Sequence, residues 1–593
     1  MARKRSNIQV LEKIRAAVSL CGFFVLCLDI RHCIRYNSLT LSGKSFKLLK
    51  YEVRELPKEA AIWMIIALYI AAMVWVGVQG ARKTRTLTDF VVGGRRAGPW
   101  VSAFAYGTTY FSAVLFIGYA GSSGFRFGLW AVLVGLSNAL IGALLAWKLL
   151  APKTRDVTRR LKIKTMPQMF EKRYQSPRMK TFAALLIFIF MVPYSASVYS
   201  GLSYLCEIAL GIRYEWAMLA IAAVAAAYLI AGGYIASLRA DLIQGIVMIG
   251  GVLLMVGFVL ASPEVGGFSA GMERLTGIME ETGILSLDGA GTAQLIGLCL
   301  LTSVGTWGMP QMIQKFYGVA DQKAIRAGTV ISTAFCAVIS VCAYFIGSLT
   351  RLFFTETPAG GTDQMIPIIL DRTLPVVLLG VVLVLVLSAS VSTLSGITLS
   401  ACSAISMDLI AARRKQEDKS KTLRQTRLLC LVFIILSFLI AVFKTPILTL
   451  MSFSWGTISG AFLAPYFLGL WWKRMNRTGA WAGMLVGAAV SLVLAAASGF
   501  DSGSAALFGV IAMASSFAAC LIATPIGCKL GGAFAQVPAE FFDPDFSLQT
   551  GEGKQASAVS EQTSAGPESG ARIRALKVNR NLHKSRKNSK AHK

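Results

Sequence analysis

Residues 107–112 read GTTYFS and residues 305–311 read GTWGMPQ, and each stretch interrupts an otherwise apolar run, 99–120 and 292–315. In hydrocarbon every backbone N–H and C=O group needs a partner, so a broken helix is tolerated only where it lines a cavity. The two interruptions lie five apolar runs apart, at the start of two successive five-run units. Glycine and proline also serve helix packing in membranes. Matched interruptions in two halves nevertheless indicate an inverted repeat with a binding site near the bilayer midplane.

The rest of the chain supports a membrane protein. Of its 593 residues, 55% are hydrophobic and only 15% are charged, whereas soluble domains carry about 25% charged residues. A span needs roughly 20 mostly apolar residues. The sequence therefore predicts an all-α integral membrane protein with about 13 transmembrane helices in a 5+5 inverted repeat. The predicted spans lie near 61–80, 99–120, 127–151, 181–202, 215–232, 242–262, 292–315, 327–352, 374–406, 428–443, 446–472, 478–498 and 504–528.

Lysine and arginine are concentrated in alternate loops. The basic loops are 82–96, 153–180, 413–427 and 473–477, whereas the loop 263–291 is acidic. Because positive loops stay in the cytoplasm, the N-terminal end of the first span is predicted to lie outside and the C-terminus inside. The sequence thus predicts a multi-pass protein of the cell membrane.

Three regions follow from this pattern. Residues 61–528 form the transmembrane domain, and residues 529–593 form a polar, basic cytoplasmic tail that is predicted to be disordered. Residues 1–60 are an N-terminal extension that fits the orientation poorly. Two interpretations of it stay open: a mis-assigned start codon, with Met64 as a candidate beginning, or a weak extra hydrophobic segment at 16–28.

Several function classes are disfavoured. The net charge of +29 is spread between apolar runs and at both ends, which fits membrane orientation and not a nucleic-acid-binding patch. The three histidines, His32, His583 and His592, lie outside the apolar body. With no His, Cys or carboxylate cluster at membrane depth, an enzyme and a bound cofactor are not expected. The tail of roughly 65 residues is also too short for the signalling domain of a solute sensor.

A run of small hydroxyl residues fills the ninth predicted span, and most of these residues fit close helix packing. Adjacent Ser392 and Thr393 offer two hydroxyl oxygens. Combined with carbonyl oxygens of a broken helix, they would form an oxygen cage for a hard cation such as sodium. Hydroxyls and carbonyls without a full set of carboxylates suit a monovalent ion better than calcium or magnesium.

Asp241 lies at the predicted start of the sixth span, with Gln244 one turn further on. An acidic residue near the membrane is a candidate functional residue. The alternative is a helix-terminal charge that the helix dipole favours. The sequence leaves both interpretations open.

Four stretches resemble the sodium/solute symporter family, whose fold is that of the leucine transporter. They are DFVVGGRRAGPWVSAFAYGTTYFSA at 89–113, GGYIASLRADLIQGIVM at 232–248, SASVSTLSGITLSACSAISMDL at 388–409 and GLWWKRMNRTGAWAGMLVG at 469–487. Together with the span order, the resemblance covers about 61–528. TYFSA and ASLRADLIQG look most similar to the pantothenate-transporter branch.

The resemblance implies a sodium ion between the second and ninth helices. Its ligands would be the carbonyl oxygens of Thr108, Phe111 and Ala389 and the hydroxyls of Ser392 and Thr393, with Asp241 as the coupling aspartate. The solute would lie near the two breaks. The implied lining residues are Tyr106, Thr109, Tyr110, Trp307 and Gln311.

One residue departs from the family pattern, because Tyr110 stands where proline-transporter-like members carry an acid. The resemblance implies sodium-coupled uptake of a small polar organic solute, such as a vitamin, amino acid, organic acid or sugar, by alternating access. The expected partners are that solute, the sodium ion and the lipid bilayer. A proton-coupled symporter of the same fold is the nearest alternative, and a transporter-like sensor is a more distant one.

Overall fold

A computed structural model of the chain describes residues 58–83, 87–413, 419–501, 503–531 and 538–542. Throughout these ranges the secondary structure is helical, apart from an isolated β-bridge between Ala97 and Val319. The predicted all-α fold class is therefore confirmed. Most of the predicted extension 1–60 and most of the predicted basic tail 529–593 lie outside the described residues.

The helices vary widely in length. In chain order the α-helices are α1 (Lys58–Lys83), α2 (Leu87–Val92), α3 (Pro99–Tyr110), α4 (Ala120–Phe127), α5 (Val132–Ser137), α6 (Ala146–Leu149), α7 (Ala151–Arg160), α8 (Met166–Tyr174), α9 (Pro177–Leu210), α10 (Tyr214–Leu260), α11 (Phe268–Glu281), α12 (Gly289–Ser303), α13 (Pro310–Tyr317), α14 (Gln322–Ser348), α15 (Thr350–Phe353), α16 (Met365–Thr373), α17 (Val376–Ser403), α18 (Lys419–Ala441), α19 (Ile447–Trp471), α20 (Arg477–Ala497), α21 (Ala505–Leu530) and α22 (Ala539–Phe542). Segments Val114–Tyr119, Asn138–Leu145 and Ala404–Ile410 are π-helical, and Gly93–Arg95, Gly128–Ala131, Gly305–Gly308, Thr362–Gln364 and Ala411–Arg413 are 3₁₀-helical.

Among the described residues, 11 helical segments are long and apolar enough to cross a membrane, so the predicted count of about 13 is not confirmed. One reason is the break after Tyr110, which leaves α3 with 12 residues and merges the following residues with the predicted third span as Val114–Arg160. The other is that α10 contributes one such segment, Ser237–Leu260, while the region of the predicted span 215–232 contributes only the shorter apolar stretch Tyr214–Ala226. The stretch that joins them contains no proline, so helical hydrogen bonding continues through it.

Both predicted interruptions are present. α3 ends at Tyr110, and Phe111 is extended, with φ −110° and ψ 128°. In the second half α12 ends at Ser303, a 3₁₀ turn follows, and Met309 is extended before Pro310 opens α13. Proline is favoured at the first helical position because its missing N–H would be unpaired there anyway. Each interruption therefore ends one half-helix and begins another inside the protein.

α17 is the most deeply buried of the described spans and contacts α1, α3, α9, α10 and α13. Some of its hydroxyls bond within the helix: Ser390 and Ser395 donate to the carbonyls of Val386 and Val391 at 2.7 Å. Such pairing removes the cost of burying a hydroxyl in an apolar environment. Small side chains also let neighbouring helices approach closely, and this explains why the serine-rich helix occupies the centre of the fold.

Glycines set the contact between α4 and α14. A Cβ atom at Gly124 would lie 1.9 Å from the carbonyl carbon and oxygen of Gly347, and a Cβ atom at Gly347 would lie 2.0 Å from the Ala120 oxygen. Backbone therefore packs on backbone, without room for a side chain. This contact fixes the half-helix that follows the first break against α14.

Candidate cation and solute site

The first break turns a helix end toward the protein centre. The last carbonyls of a helix have no partner within that helix, and together they form the negative end of its dipole. At the end of α3 these carbonyls belong to residues 107–110; the Gly107 carbonyl accepts a hydrogen bond from the Phe111 amide at 3.2 Å. The carbonyl oxygens of Thr108, Thr109 and Phe111 instead face the Thr393 hydroxyl on α17.

Four carbonyl oxygens surround the Thr393 hydroxyl oxygen. Those of Thr108, Thr109 and Phe111 lie 3.3, 3.1 and 3.5 Å from Thr393 Oγ1, and that of Ala389 lies 3.1 Å from it. A hydroxyl has one proton, so it can donate fully to only one of these acceptors. We call these five atoms the Thr393 oxygen cluster. Its excess of oxygen lone pairs over protons suits a hard cation.

Two further hydroxyls extend this cluster. Ser392 Oγ lies 2.6 Å from Asp241 Oδ1 and 3.0 Å from Thr108 Oγ1, and Thr108 Oγ1 donates to the Phe104 carbonyl at 2.8 Å. The short bond to the carboxylate is the stronger one, so the Ser392 proton points to Asp241. The two hydroxyl oxygens then face each other through lone pairs. The Thr108 hydroxyl was not predicted as part of the site, because its sequence position indicated only its carbonyl.

Asp241 lies well inside α10, and its side chain is fully buried. The interpretation of Asp241 as a helix-terminal charge is therefore wrong. Its Oδ2 atom is 3.1 Å from Lys315 Nζ, and the lysine side chain is only 1% exposed. Lys315 also lies 5.2 Å from the centre of the Tyr234 ring. An isolated buried charge is costly, so each of these groups depends on the other.

Sequence reasoning missed Lys315. Its only signal was a basic residue at the end of the apolar run 292–315. The pairing could not be anticipated, since Lys315 on α13 and Asp241 on α10 are 74 residues apart in the chain.

Two of the predicted solute-lining residues meet at the breaks. Thr109 and Gln311 both have atoms within 4 Å of the point where a Gly396 side chain would begin. Thr109 Oγ1 and Gln311 Oε1 are buried and have no hydrogen-bond partner in the described structure. Unpaired buried polar atoms are uncommon in native proteins and call for an explanation.

The other three predicted lining residues are occupied by protein contacts. The Tyr106 hydroxyl donates to the Gly142 carbonyl at 2.7 Å, and the Tyr110 hydroxyl donates to the Thr302 carbonyl at 2.5 Å. Trp307 Nε1 donates to a carbonyl on the facing π-helix at 3.3 Å. These three residues therefore hold the two breaks together, and their polar atoms are not free in this conformation.

Tyr194 and Trp455 were not predicted as part of the site. Their rings meet edge to face at 5.7 Å, and the Tyr194 hydroxyl also faces the Gln311 side chain. Tyr194 OH and Trp455 Nε1 are buried and lack a partner among the described residues. The only signal for Tyr194 was its place directly after Pro193 in an apolar run. With Thr109 and Gln311, these residues form what we call the orphan-polar cluster.

Three arginines link backbone segments on one side of the protein. Arg95 donates to the carbonyls of Thr158 and Ile163 at 2.7 and 2.6 Å. Arg159 donates to the Arg95 and Val319 carbonyls at 2.7 and 3.1 Å. Arg155 donates to the Val319 carbonyl and to that of the next residue at 3.2 and 2.7 Å. These contacts join loops of both halves, and we call them the arginine barrier.

The opposite end of α14 borders a cavity. α14 has 27 residues and is therefore roughly 40 Å long at 1.5 Å per residue. Its first residue comes shortly after Val319 of the barrier in the chain. At its far end Arg351 lines a cavity of about 570 Å³, together with Arg126 and Leu298. Leu298 is one helical turn from Thr302, whose carbonyl binds Tyr110. This cavity therefore approaches the breaks from the side that the barrier does not close.

Comparison with known proteins gives consistent matches. The profile of the sodium:solute symporter family matches residues 90–487. The osmoregulated proline transporter OpuE of Bacillus subtilis (strain 168) is 30% identical over 438 residues, which is 72% of this chain and 87% of OpuE. The sodium/pantothenate symporter of Escherichia coli (strain K12) is 29% identical over 439 residues, 72% of this chain and 89% of its own.

A solved structure shows the same fold. The substrate-bound outward-open state of a Na⁺-coupled sialic acid symporter aligns with a TM-score of 0.65 and 21% identity, covering 79% of this chain and 98% of that one. The predicted architecture is therefore confirmed at the level of the fold. The similarity to sodium/pantothenate symporters is consistent with the predicted branch, and proline transporters match at similar identity.

Proposed function

This chain belongs to the sodium:solute symporter family and is a multi-pass membrane transporter, not an enzyme; from this premise we propose that it binds its coupling sodium ion at the Thr393 oxygen cluster. The single observation that carries the proposal is the convergence of four carbonyl oxygens on one hydroxyl. Ser392 Oγ and Thr108 Oγ1 would complete the ligand set. Asp241 would orient the Ser392 lone pairs toward the ion, as second-layer carboxylates do around metal ligands.

The ion would join the two halves of the protein. The cluster draws oxygens from the end of α3, from the break and from α17, so a bound cation would hold these elements together. Sodium entering from outside would then stabilise the state in which the arginine barrier is closed. We retain the orientation predicted from the loops, with the barrier on the cytoplasmic side.

The free energy released when one sodium ion enters limits how far the solute can be accumulated. One charge that crosses 100 mV releases about 2.3 kcal/mol, and each tenfold sodium ratio adds about 1.4 kcal/mol. A single sodium ion could therefore support accumulation on the order of a few hundred-fold.

For the solute we propose a small organic carboxylate that binds at the orphan-polar cluster. The named relatives carry proline, pantothenate or sialic acid, and each of these compounds bears a carboxylate. Arg126 and Arg351 line the cavity on the side of the breaks away from the barrier and would attract an anionic group. At the second break the N-terminus of α13 presents the positive end of a helix dipole. The unpaired polar atoms of Thr109 and Gln311 would bind the rest of the solute.

Sodium dependence tests the ion site. Solute uptake into proteoliposomes is measured with sodium replaced by choline at fixed pH, for the wild type and for the double variant Ser392→Ala, Thr393→Ala. We expect uptake to need sodium and the double variant to need a much higher sodium concentration. Ser395→Ala is the matched control, since its hydroxyl bonds only its own helix. Uptake that persists in choline would favour the proton-coupled alternative.

The proposed solute class is tested with pairs of compounds that differ only in whether they carry the carboxylate. In saturating sodium we expect proline or pantothenate to raise the thermal stability of the purified protein more than prolinamide or panthenol does. Equal stabilisation by the acid and its neutral analogue would contradict a carboxylate site. The result does not depend on the sodium ligands, because all samples contain the same ion.

A further inference from the structure

We propose that the Lys315 ammonium group is a built-in cation that occupies the position against Asp241, so that the transporter binds one sodium ion per solute. The inference rests on the proposed sodium site and extends it to stoichiometry. It assigns Asp241 a different role from the one that the sequence predicted: a partner of Lys315 and a positioning residue for Ser392, not a ligand of a coupling ion.

The first observation is the completeness of the ion pair. Asp241 Oδ2 lies 3.1 Å from Lys315 Nζ and 3.5 Å from Ser237 Oγ, while Oδ1 accepts the Ser392 proton at 2.6 Å. Both carboxylate oxygens therefore have donors. A sodium ion at Asp241 would have to displace Lys315, and this would leave a buried ammonium group without its partner.

The second observation is the attachment of the lysine. Lys315 lies on α13, the half-helix that begins at the second break, and its ammonium group lies over the Tyr234 ring of α10. A cation bound to the chain loses no translational freedom when it pairs with Asp241, whereas a free ion does. The tethered group thus avoids an entropic cost that a dissolved sodium ion would have to meet.

The third observation is charge balance. Asp241 and Lys315 together carry no net charge, and the Thr393 oxygen cluster contains only neutral oxygens. Repulsion from Lys315 would oppose a second ion near Asp241, because like charges interact strongly in a low-dielectric interior. The described groups are therefore arranged to bind one sodium ion, at the Thr393 oxygen cluster.

Static-head measurements test the stoichiometry. Proteoliposomes are held at zero membrane potential, and the solute ratio at which net flux stops is plotted against the sodium ratio on logarithmic axes. We expect a slope of one for the wild type. A slope of two overturns this inference and leaves the proposed sodium coupling intact, whereas a slope of zero contradicts the coupling itself.

Variants test the role of Lys315 directly. In Lys315→Met the Asp241 carboxylate loses its cation, and we expect equilibrium ²²Na⁺ binding to rise from one to two ions per protein. In the double variant Lys315→Met, Asp241→Asn neither charge remains, and we expect one ion again. One ion bound by a folded Lys315→Met protein would overturn the proposal. If Lys315→Met does not fold, one ion in the double variant supports the proposal and two ions overturn it.

Discussion

Ser392 Oγ and Thr108 Oγ1 lie 3.0 Å apart, and neither has a proton to spare for the other. The Ser392 proton is directed to Asp241 at 2.6 Å and the Thr108 proton to the Phe104 carbonyl at 2.8 Å. Two oxygens that face each other through lone pairs repel unless a cation lies nearby. This arrangement, next to the crowded Thr393 hydroxyl, is the physical basis of the proposed coupling site.

The buried ion pair gives a prediction for stability. Asp241→Asn leaves Lys315 buried without a countercharge, so we expect a loss of about 3–5 kcal/mol in the free energy of unfolding. Adding Lys315→Met to Asp241→Asn should recover a large part of this loss, because no charge then remains buried. Chemical denaturation of the four proteins of the cycle measures the coupling. Additive losses in the double variant would contradict a direct interaction.

The glycine contact between α4 and α14 gives a second prediction. Gly124→Ala places a methyl group 1.9 Å from backbone atoms of Gly347, and overpacking of this kind costs typically about 1–3 kcal/mol. Gly250→Ala is the control, because a Cβ atom there meets nothing within 4 Å. We expect a lower Tm for the first variant and little change for the second. Equal Tm values would show that the helices can move apart at no cost.

The positions of the two breaks could be predicted from the sequence, because each break leaves a local signal, and the hydroxyl pair leaves a signal of the same kind. Glycine, proline and hydroxyl residues inside apolar runs marked 107–112, 305–311 and the region of Ser392 before any contact was known. The structure brings all five predicted metal-site residues together at the first break. Local pattern was sufficient here because the inverted repeat dictates which spans meet.

Contacts between distant side chains could not be predicted in the same way. No sequence pattern pairs Lys315 with Asp241, and none shows that the hydroxyls of Tyr106 and Tyr110 bind carbonyls of neighbouring segments. Rotamers and helix rotation decide these contacts, and both depend on packing across the whole fold. The number of predicted spans differed from the number in the structure for a related reason. Composition predicts one span over 99–120, whereas the structure breaks the helix within it.

Asp363 gives a prediction for pH. Its carboxylate accepts a hydrogen bond from the Ile447 amide at 3.0 Å at the start of α19, and burial raises its pKa to about 6. A carboxyl with a raised pKa favours the folded state when protonated, so its contribution falls as pH rises from about 4 through about 6. We expect the wild type to lose about 1–2 kcal/mol of stability relative to Asp363→Asn between pH 5 and pH 7.5.

Unfolding curves of both proteins at several pH values check this prediction. The asparagine side-chain oxygen can still accept a hydrogen bond from the Ile447 amide. A difference in stability between the two proteins therefore reflects the charge of Asp363. Parallel stability curves for the two proteins would mean that Asp363 has an ordinary pKa.

The arginine barrier gives a prediction for conformation. Arg159→Gln removes two charge-assisted hydrogen bonds to carbonyls of Arg95 and Val319, each of which contributes about 1.5–3 kcal/mol. We expect the closed state to lose population and a cysteine introduced at Ser400, which borders a small cavity beside Tyr317, to react about tenfold faster or more with a thiol reagent.

Arg160→Gln is the matched control for the barrier, since Arg160 lies on the same helix and donates to the Phe541 carbonyl instead. The rate of Ser400→Cys labelling should remain near the wild-type rate in that background. If both arginine variants accelerate labelling equally, the effect reflects general loosening of α7 and not an opened barrier.

Direct sodium binding to Thr393→Val is the most decisive measurement for the proposed site. Valine keeps the branched shape of the side chain and removes the hydroxyl around which the carbonyls of Thr109 and Ala389 gather. Equilibrium ²²Na⁺ binding to the purified protein should weaken by about tenfold or more, while Ser395→Ala should bind sodium like the wild type. Unchanged sodium affinity in a folded Thr393→Val protein would contradict the assignment of the coupling ion to this cluster.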